Sequence, residues 1–231
     1  MLKKDEVNNI VSEKKFHHVL QPLFCMEDWK QVGFEALLRF HSVDNSKMLF
    51  KSAIEHNLLY ELDTCSIYNI LNTDWIRNNR LFVNVYPSTI MNPLFIGFLD
   101  DLNEFCTRSS EIIFEISEAE KVLDLSSFRQ IVDILKQKGY GIAIKDLGIE
   151  ETSLKSVIDL EPDYVKLDKS ISKGLFNSDK KQNEVKMMLE VCQQKKMKLI
   201  LGDIEDEKDL AIAKMLGVHI GQGFLLGKPL E

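Results

Sequence analysis

Val32-Gly33-Phe34-Glu35-Ala36-Leu37-Leu38-Arg39 is an apolar run broken by one acid and closed by one cation. It is too short and too uniformly apolar for an amphipathic helix. It reads as a strand buried on both faces, as in a parallel sheet. Runs of the same kind recur at 17–20, 81–85, 111–116, 141–144, 164–167, 199–201 and 219–226. Helical patterns lie between them. The spacing at 50–71 predicts two helices broken near Asn57, and 87–105 reads as one helix with Ser88 as N-cap. The stretch 126–138 stops at Gly139, 183–195 carries a core-facing apolar stripe, and 207–216 ends at Gly217. Strand–helix alternation defines an α/β chain. About eight strands in 231 residues favour a closed (β/α)8 TIM-like barrel, which typically fills ~250 residues as one domain. Residues 1–15 read as an N-terminal extension and 16–231 as the barrel. The loop after Ser170 is the expected mobile stretch.

Composition narrows the function. Apolar residues make up 45%, enough for a sizeable core, and the net charge is −7. An acidic chain lacks the basic surface that a nucleic-acid backbone requires, so no DNA or RNA partner is expected. A small nucleotide held by a few local cations remains compatible. Cys25, Cys65, Cys106 and Cys192 form no C-x-x-C pair and read as reduced thiols. No apolar run approaches ~20 residues and residues 1–15 contain no apolar signal core, so a cytoplasmic protein with no membrane partner is expected.

In such barrels the chemistry lies at the C-terminal ends of the strands. The predicted strands end in Gln21, Glu35 with Arg39, Asn84, Glu115 with Glu118, Lys145-Asp146, Lys166 with Asp168, Asp203 with Glu205, and Gln222. Carboxylates and an Asn on one rim suggest a hard cation such as Mg²⁺ or Mn²⁺. Arg and Lys beside them suggest a phosphorylated ligand.

Several ordered motifs resemble those of the EAL domain family, whose active members are cyclic di-GMP phosphodiesterases. Glu35-Ala36-Leu37 lies in the signature that names the family. Phe82-Val83-Asn84-Val85, Glu115-Ile116-Ser117-Glu118, Lys166-Leu167-Asp168, Gly221-Gln222-Gly223-Phe224 and Lys228-Pro229 follow in order. The resemblance implies a barrel of EAL type. It also implies that Glu35, Asn84, Glu115 and Asp146 are metal ligands, and that Lys166 and Glu205 are catalytic. Gln21, Glu35, Leu37, Arg39, Asp146 and Gln222 are implied as ligand contacts, and Glu118 as the brace of the loop after the fifth strand.

Three positions depart from the family pattern. Lys145 stands where an Asp bridges both metals, Gly202 where a catalytic-site Glu stands, and Glu150 replaces a loop Gly. Two-metal hydrolysis clamps the reacting oxygens between cations ~3.5–4 Å apart, and a shared carboxylate offsets their repulsion. An ammonium there reverses the charge. Lys145 is expected among Glu35, Glu115 and Asp146 as an internal counter-ion. Asp203 neighbours Gly202 and is expected to face the other way by strand alternation. The expectation is a degenerate EAL protein that binds cyclic di-GMP or a protein partner, with a homodimer as a further assembly and no resident cofactor. The alternative is a weak phosphodiesterase using Mg or Mn.

Overall fold

The computed structural model describes residues 1–40, 46–73, 79–105, 111–117, 120, 122, 124–147 and 159–230. Glu118, Glu150 and Cys106 therefore lie outside the described residues. The first half of the chain forms α1 (Lys4–Ser12), β1 (His17–Cys25), β2 (Gln31–Arg39), α2 (Ser46–Glu55), α3 (Leu59–Leu71), β3 (Leu81–Val85), α4 (Pro87–Ile90), α5 (Phe95–Phe105) and β4 (Ile112–Ser117). The second half forms α6 (Leu125–Gln137), β5 (Gly141–Leu147), β6 (Tyr164–Leu167), α7 (Lys169–Ser172), α8 (Asp179–Lys195), β7 (Lys198–Leu201), α9 (Glu207–Leu216) and β8 (Ile220–Gly221). The eight strands close in chain order into one barrel, the expected α/β architecture.

Period-two alternation splits each strand between two cores. Outward residues such as Val83, Phe114, Ile142, Val165 and Leu199 join the apolar stripes of the helices in the main core. Inward residues Leu23, Phe82, Ile113, Ala143, Tyr164, Ile200 and Ile220 form a separate cluster inside the barrel. Two positions along, the inward residue becomes Gln21, Asn84, Glu115, Lys145, Lys166, Gly202 or Gln222. The lumen thus has an apolar floor and a polar storey above it.

β1 runs antiparallel to both β2 and β8, while the other neighbouring strands pair in parallel. Only a short turn separates Cys25 from Gln31, whereas parallel neighbours need a crossover of about a dozen residues or more. The eighth strand is only Ile220–Gly221, not the whole 219–226 run. Beyond it Gly223 crosses the backbone of Ile204 so closely that a Cβ would sit 2.1 Å from the Ile204 oxygen.

The expected break at Asn57 is present, with φ at 56°. The expected single helix over 87–105 is two, because Pro93 follows Asn92 in the gap and disfavours helical backbone before it. Tyr86, not Ser88, is the N-cap, with Pro87 in the first turn. The Ser88 N–H is instead given to the Glu120 carboxylate at 2.8 Å. α8 begins at Asp179, earlier than expected, because the Ser178 hydroxyl caps it by accepting from Lys181 N. The segment after Ser170 is tied down by buried Asp209, which accepts from the N–H groups of Gly174 (2.8 Å) and Phe176 (2.9 Å). Helix α1 packs Val7 and Ile10 against Leu49, Ala53 and Leu62 of α2 and α3.

Gly33 sits where a Cβ would lie 2.3 Å from the Arg80 carbonyl oxygen, whereas a Cβ on helical Gly97 meets nothing within 4 Å. Gly33→Ala should therefore lower the urea midpoint by about 1–3 kcal/mol of stability. Gly97→Ala should raise it by roughly 0.5–1 kcal/mol. Equal midpoints for the two variants would contradict this packing.

Candidate functional site

Beside a separate Ser117–Asp146 pair, hydrogen bonds and an ion pair join Glu35, Asn84, Glu115, Lys145, Lys166 and Gln222 of the polar storey into one network. Glu35 is its centre. Glu35 Oε2 accepts from Lys166 Nζ (2.7 Å) and Gln222 Nε2 (2.9 Å), and Oε1 accepts from Asn84 Nδ2 (3.3 Å). Lys166 Nζ also lies 3.2 Å from Glu115 Oε1. Lys145 Nζ donates to Asn84 Oδ1 at 2.5 Å. Ser117 Oγ donates to Asp146 Oδ2 at 2.9 Å.

The carboxylates of Glu35 and Glu115 are 4% and 1% exposed, so their charge state depends on the ammonium groups. Burial works to raise the Glu35 pKa, but the charges of Lys166 and Lys145 overcome it and hold Glu35 well below the usual carboxylate range. Glu115 moves the other way, raised by burial and by the charge of Glu35. Burial opposes charge on Lys166 too, yet the two carboxylates raise its pKa above the ordinary lysine value. Glu115 is held by its ion pair with Lys166, and neither of its oxygens has a well-formed hydrogen bond among the described residues.

A β-bulge sets Lys145 in place. Ile144 pairs with Val165, but Leu147 pairs with Leu167, so β5 carries one extra residue. Asp146 absorbs it with φ at 58°. Lys145 stays directed into the barrel while Asp146 turns to Ser117. The direct partner of Lys145 is the Asn84 amide rather than a carboxylate, and from there its charge still acts on Glu35 and Glu115. It reaches the Asn84 amide because Lys166 already occupies the space between Glu35 and Glu115.

A cleft of about 910 Å³ opens above the network. Gln21, Leu37, Arg39, Asp146 and Gln222 line it together with Glu35, Asn84, Glu115 and Lys166. Glu205 does not line it and is exposed. β7 ends at Leu201 and Asp203 turns the chain with φ at 53°, so strand alternation no longer holds. Asp203 faces the cleft, contrary to the expectation, and Glu205 falls outside it.

Sequence reasoning missed the cleft wall formed by Lys47, Phe50, Lys51 and Ile54 of α2. Their i, i+3, i+4, i+7 spacing marks one helix face. It also missed Asp63, an acid inside the apolar stripe of α3. Asp63 accepts from Tyr86 N (3.0 Å) and Thr89 Oγ1 (2.7 Å), fixing the turn that follows Asn84. Tyr86 in turn packs on Phe50, with ring centroids 5.5 Å apart.

The acidic and amide donors alone would suit a hard cation, and the unsatisfied Glu115 carboxylate points the same way. The ammonium groups do not suit one. An ammonium ~4 Å from a dication repels it by roughly 8 kcal/mol at an effective dielectric of about 20. Among the described residues no group of three or more His, Cys, Asp or Glu side chains is placed to hold a metal. The arrangement does not fit a two-ion centre.

The fold and site are a closed barrel with one reversed strand and a mouth of mixed carboxylates, amides and ammonium groups. The chain belongs to the EAL domain family, whose model matches residues 4–229. A curated relative, "Probable cyclic di-GMP phosphodiesterase PdeD" of Escherichia coli (strain K12), is 24% identical over 97% of this chain and 43% of its own length. The chain thus spans less than half of that relative. The Xanthomonas citri FimX EAL domain in complex with c-diGMP superposes with a TM-score of 0.87 at 14% identity, covering 97% of this chain and 92% of that one. The manganese/cy-diGMP complex of Klebsiella pneumoniae BlrP1 gives 0.83 at 22% identity, covering 94% and 56%. No helix among the described residues is long and apolar enough to cross a membrane.

Burial pushes the Asp63 pKa up to about 7. A raised carboxyl pKa means that the folded state keeps a proton the unfolded state has released, so stability falls as pH rises from about 4 to about 7. Asp63→Asn can accept the same two hydrogen bonds without ionising. Its stability relative to the natural chain should rise by a few kcal/mol between about pH 4 and pH 8, as read from urea midpoints. Parallel pH curves would contradict the buried acid.

Proposed function

We propose that this chain is a degenerate EAL domain that binds cyclic di-GMP and does not hydrolyse it. The observation that carries the reading is the Lys145 ammonium on Asn84 Oδ1, at the position where the family pattern has an acid. Hydrolysis of a phosphodiester by this family's chemistry needs two cations and a water activated between them. Here the bridging acid has become a cation and Gly202 supplies no acid. One missing part of such a unit removes most of the rate, so the retained acids do not restore it.

Binding is supported separately. The 910 Å³ cleft lies within the roughly 300–1,000 Å³ range of small-ligand sites. Six Lys and Arg side chains line it against five carboxylates, a local excess of positive charge in a chain of net −7. That excess suits a ligand with two phosphates. The solved EAL structures named above carry the same dinucleotide. A silent barrel of this kind acts in cytoplasmic signalling as a regulatory module, reporting occupancy to a protein partner or to a second copy. The unsatisfied Glu115 carboxylate favours a second reading, a weak phosphodiesterase using Mg or Mn.

With Mg²⁺ or Mn²⁺ the chain should release no linear dinucleotide under conditions where an intact EAL enzyme turns over, while calorimetry detects binding. The paired change Lys145→Asp with Gly202→Glu should raise turnover above that of the natural chain. A Cβ at 202 meets only Lys166 Cε, at 3.3 Å, so the flexible side chain can yield. Robust release by the natural chain supports the phosphodiesterase. Neither release nor binding leaves a partner-binding barrel.

A further inference from the structure

The two ammonium groups in the barrel mouth differ in how well they are satisfied. Lys166 is shared by two buried carboxylates at 2.7 and 3.2 Å. Lys145 makes one hydrogen bond, to the neutral amide oxygen of Asn84, and no carboxylate lies within ion-pairing distance of it among the described residues. An ammonium has three donors, so two remain. The neighbouring acids are engaged elsewhere: Glu35 and Glu115 with Lys166, and Asp146 with Ser117. Lys145 is also on the cleft surface, half-buried rather than sealed.

Its position is fixed from both ends. The bulge at Lys145-Asp146 sets the backbone, and Asn84 anchors the tip. Asn84 itself donates to Glu35 and to the Ala36 carbonyl, so it cannot turn its oxygen away without losing both bonds. A positive charge anchored on a neutral amide, acting on Glu35 and Glu115 only from beyond ion-pair distance and facing an open cleft, is a preorganised anion site.

We infer that Lys145 is a phosphate-binding residue: its ammonium holds a phosphodiester of the bound dinucleotide, in the role a divalent ion would otherwise fill. The inference rests on the cyclic di-GMP reading above. It makes binding independent of divalent cations. Lys166 does not share the task, because its charge is already neutralised by Glu35 and Glu115.

Equilibrium binding of cyclic di-GMP to the whole chain, measured in Mg²⁺ and again in EDTA, tests this. The two affinities should agree, and Lys145→Met should weaken both by about ten- to a hundredfold, the usual range for a charge-assisted hydrogen bond. Lys145→Gln keeps a donor for Asn84 without the charge and should show the same loss, which covers the case in which Lys145→Met fails to fold. Binding that survives both substitutions, or that disappears in EDTA, overturns the role of Lys145 and leaves the cyclic di-GMP reading standing. No binding by the natural chain in either buffer overturns both.

Discussion

Two carboxylates buried side by side must be compensated, and in this barrel Lys166 compensates them. Glu35 and Glu115 are almost without solvent, and like charges at such depth cannot both ionise unopposed. Placing an ammonium between them keeps Glu35 ionised and leaves Glu115 the easier of the two to protonate. The rest of the mouth follows. Gln222 and Asn84 spend their N–H groups on Glu35, which turns the Asn84 oxygen outward to Lys145. Two ammonium groups thus sit within the polar mouth, one on the carboxylates and one on the amide.

The departures from the EAL pattern act together rather than singly. A side chain at 202 would begin beside the Lys166 stem, its Cβ 3.3 Å from Lys166 Cε. With glycine there, Lys166 is free to serve Glu35 and Glu115. With lysine at 145, the amide that matches a metal ligand becomes an anchor for a cation. On the proposed reading, both changes move the site in one direction, from holding ions to replacing them.

Much of the fold was legible because buried strands carry a repeating signature. Ile113/Glu115, Tyr164/Lys166 and Ile220/Gln222 each pair an apolar inward residue with a polar one two positions on. Nine of the ten residues to which the resemblance gave a metal, catalytic or ligand role line the cleft, Glu205 being the exception. What was not legible depended on turns and on non-local competition. The reversal of β1 follows from a short connection that the apolar pattern does not weigh. The exposure of Glu205 follows from the left-handed turn at Asp203, where strand alternation stops. The target of Lys145 depended on a second lysine, contributed by β6, taking the carboxylates first. The α2 wall was missed because Lys47, Phe50, Lys51 and Ile54 look like an ordinary half-solvated helix until the barrel mouth is placed beside them.

Crystals of the chain grown with Mn²⁺ and cyclic di-GMP, with anomalous diffraction recorded at the manganese edge, test the central claim most directly. The account predicts no pair of manganese peaks beside Glu35, Asn84 and Glu115, with the Lys166 ammonium standing between the two glutamates. Two peaks a few ångströms apart at Asn84, with the Lys145 side chain displaced from its amide, would contradict it.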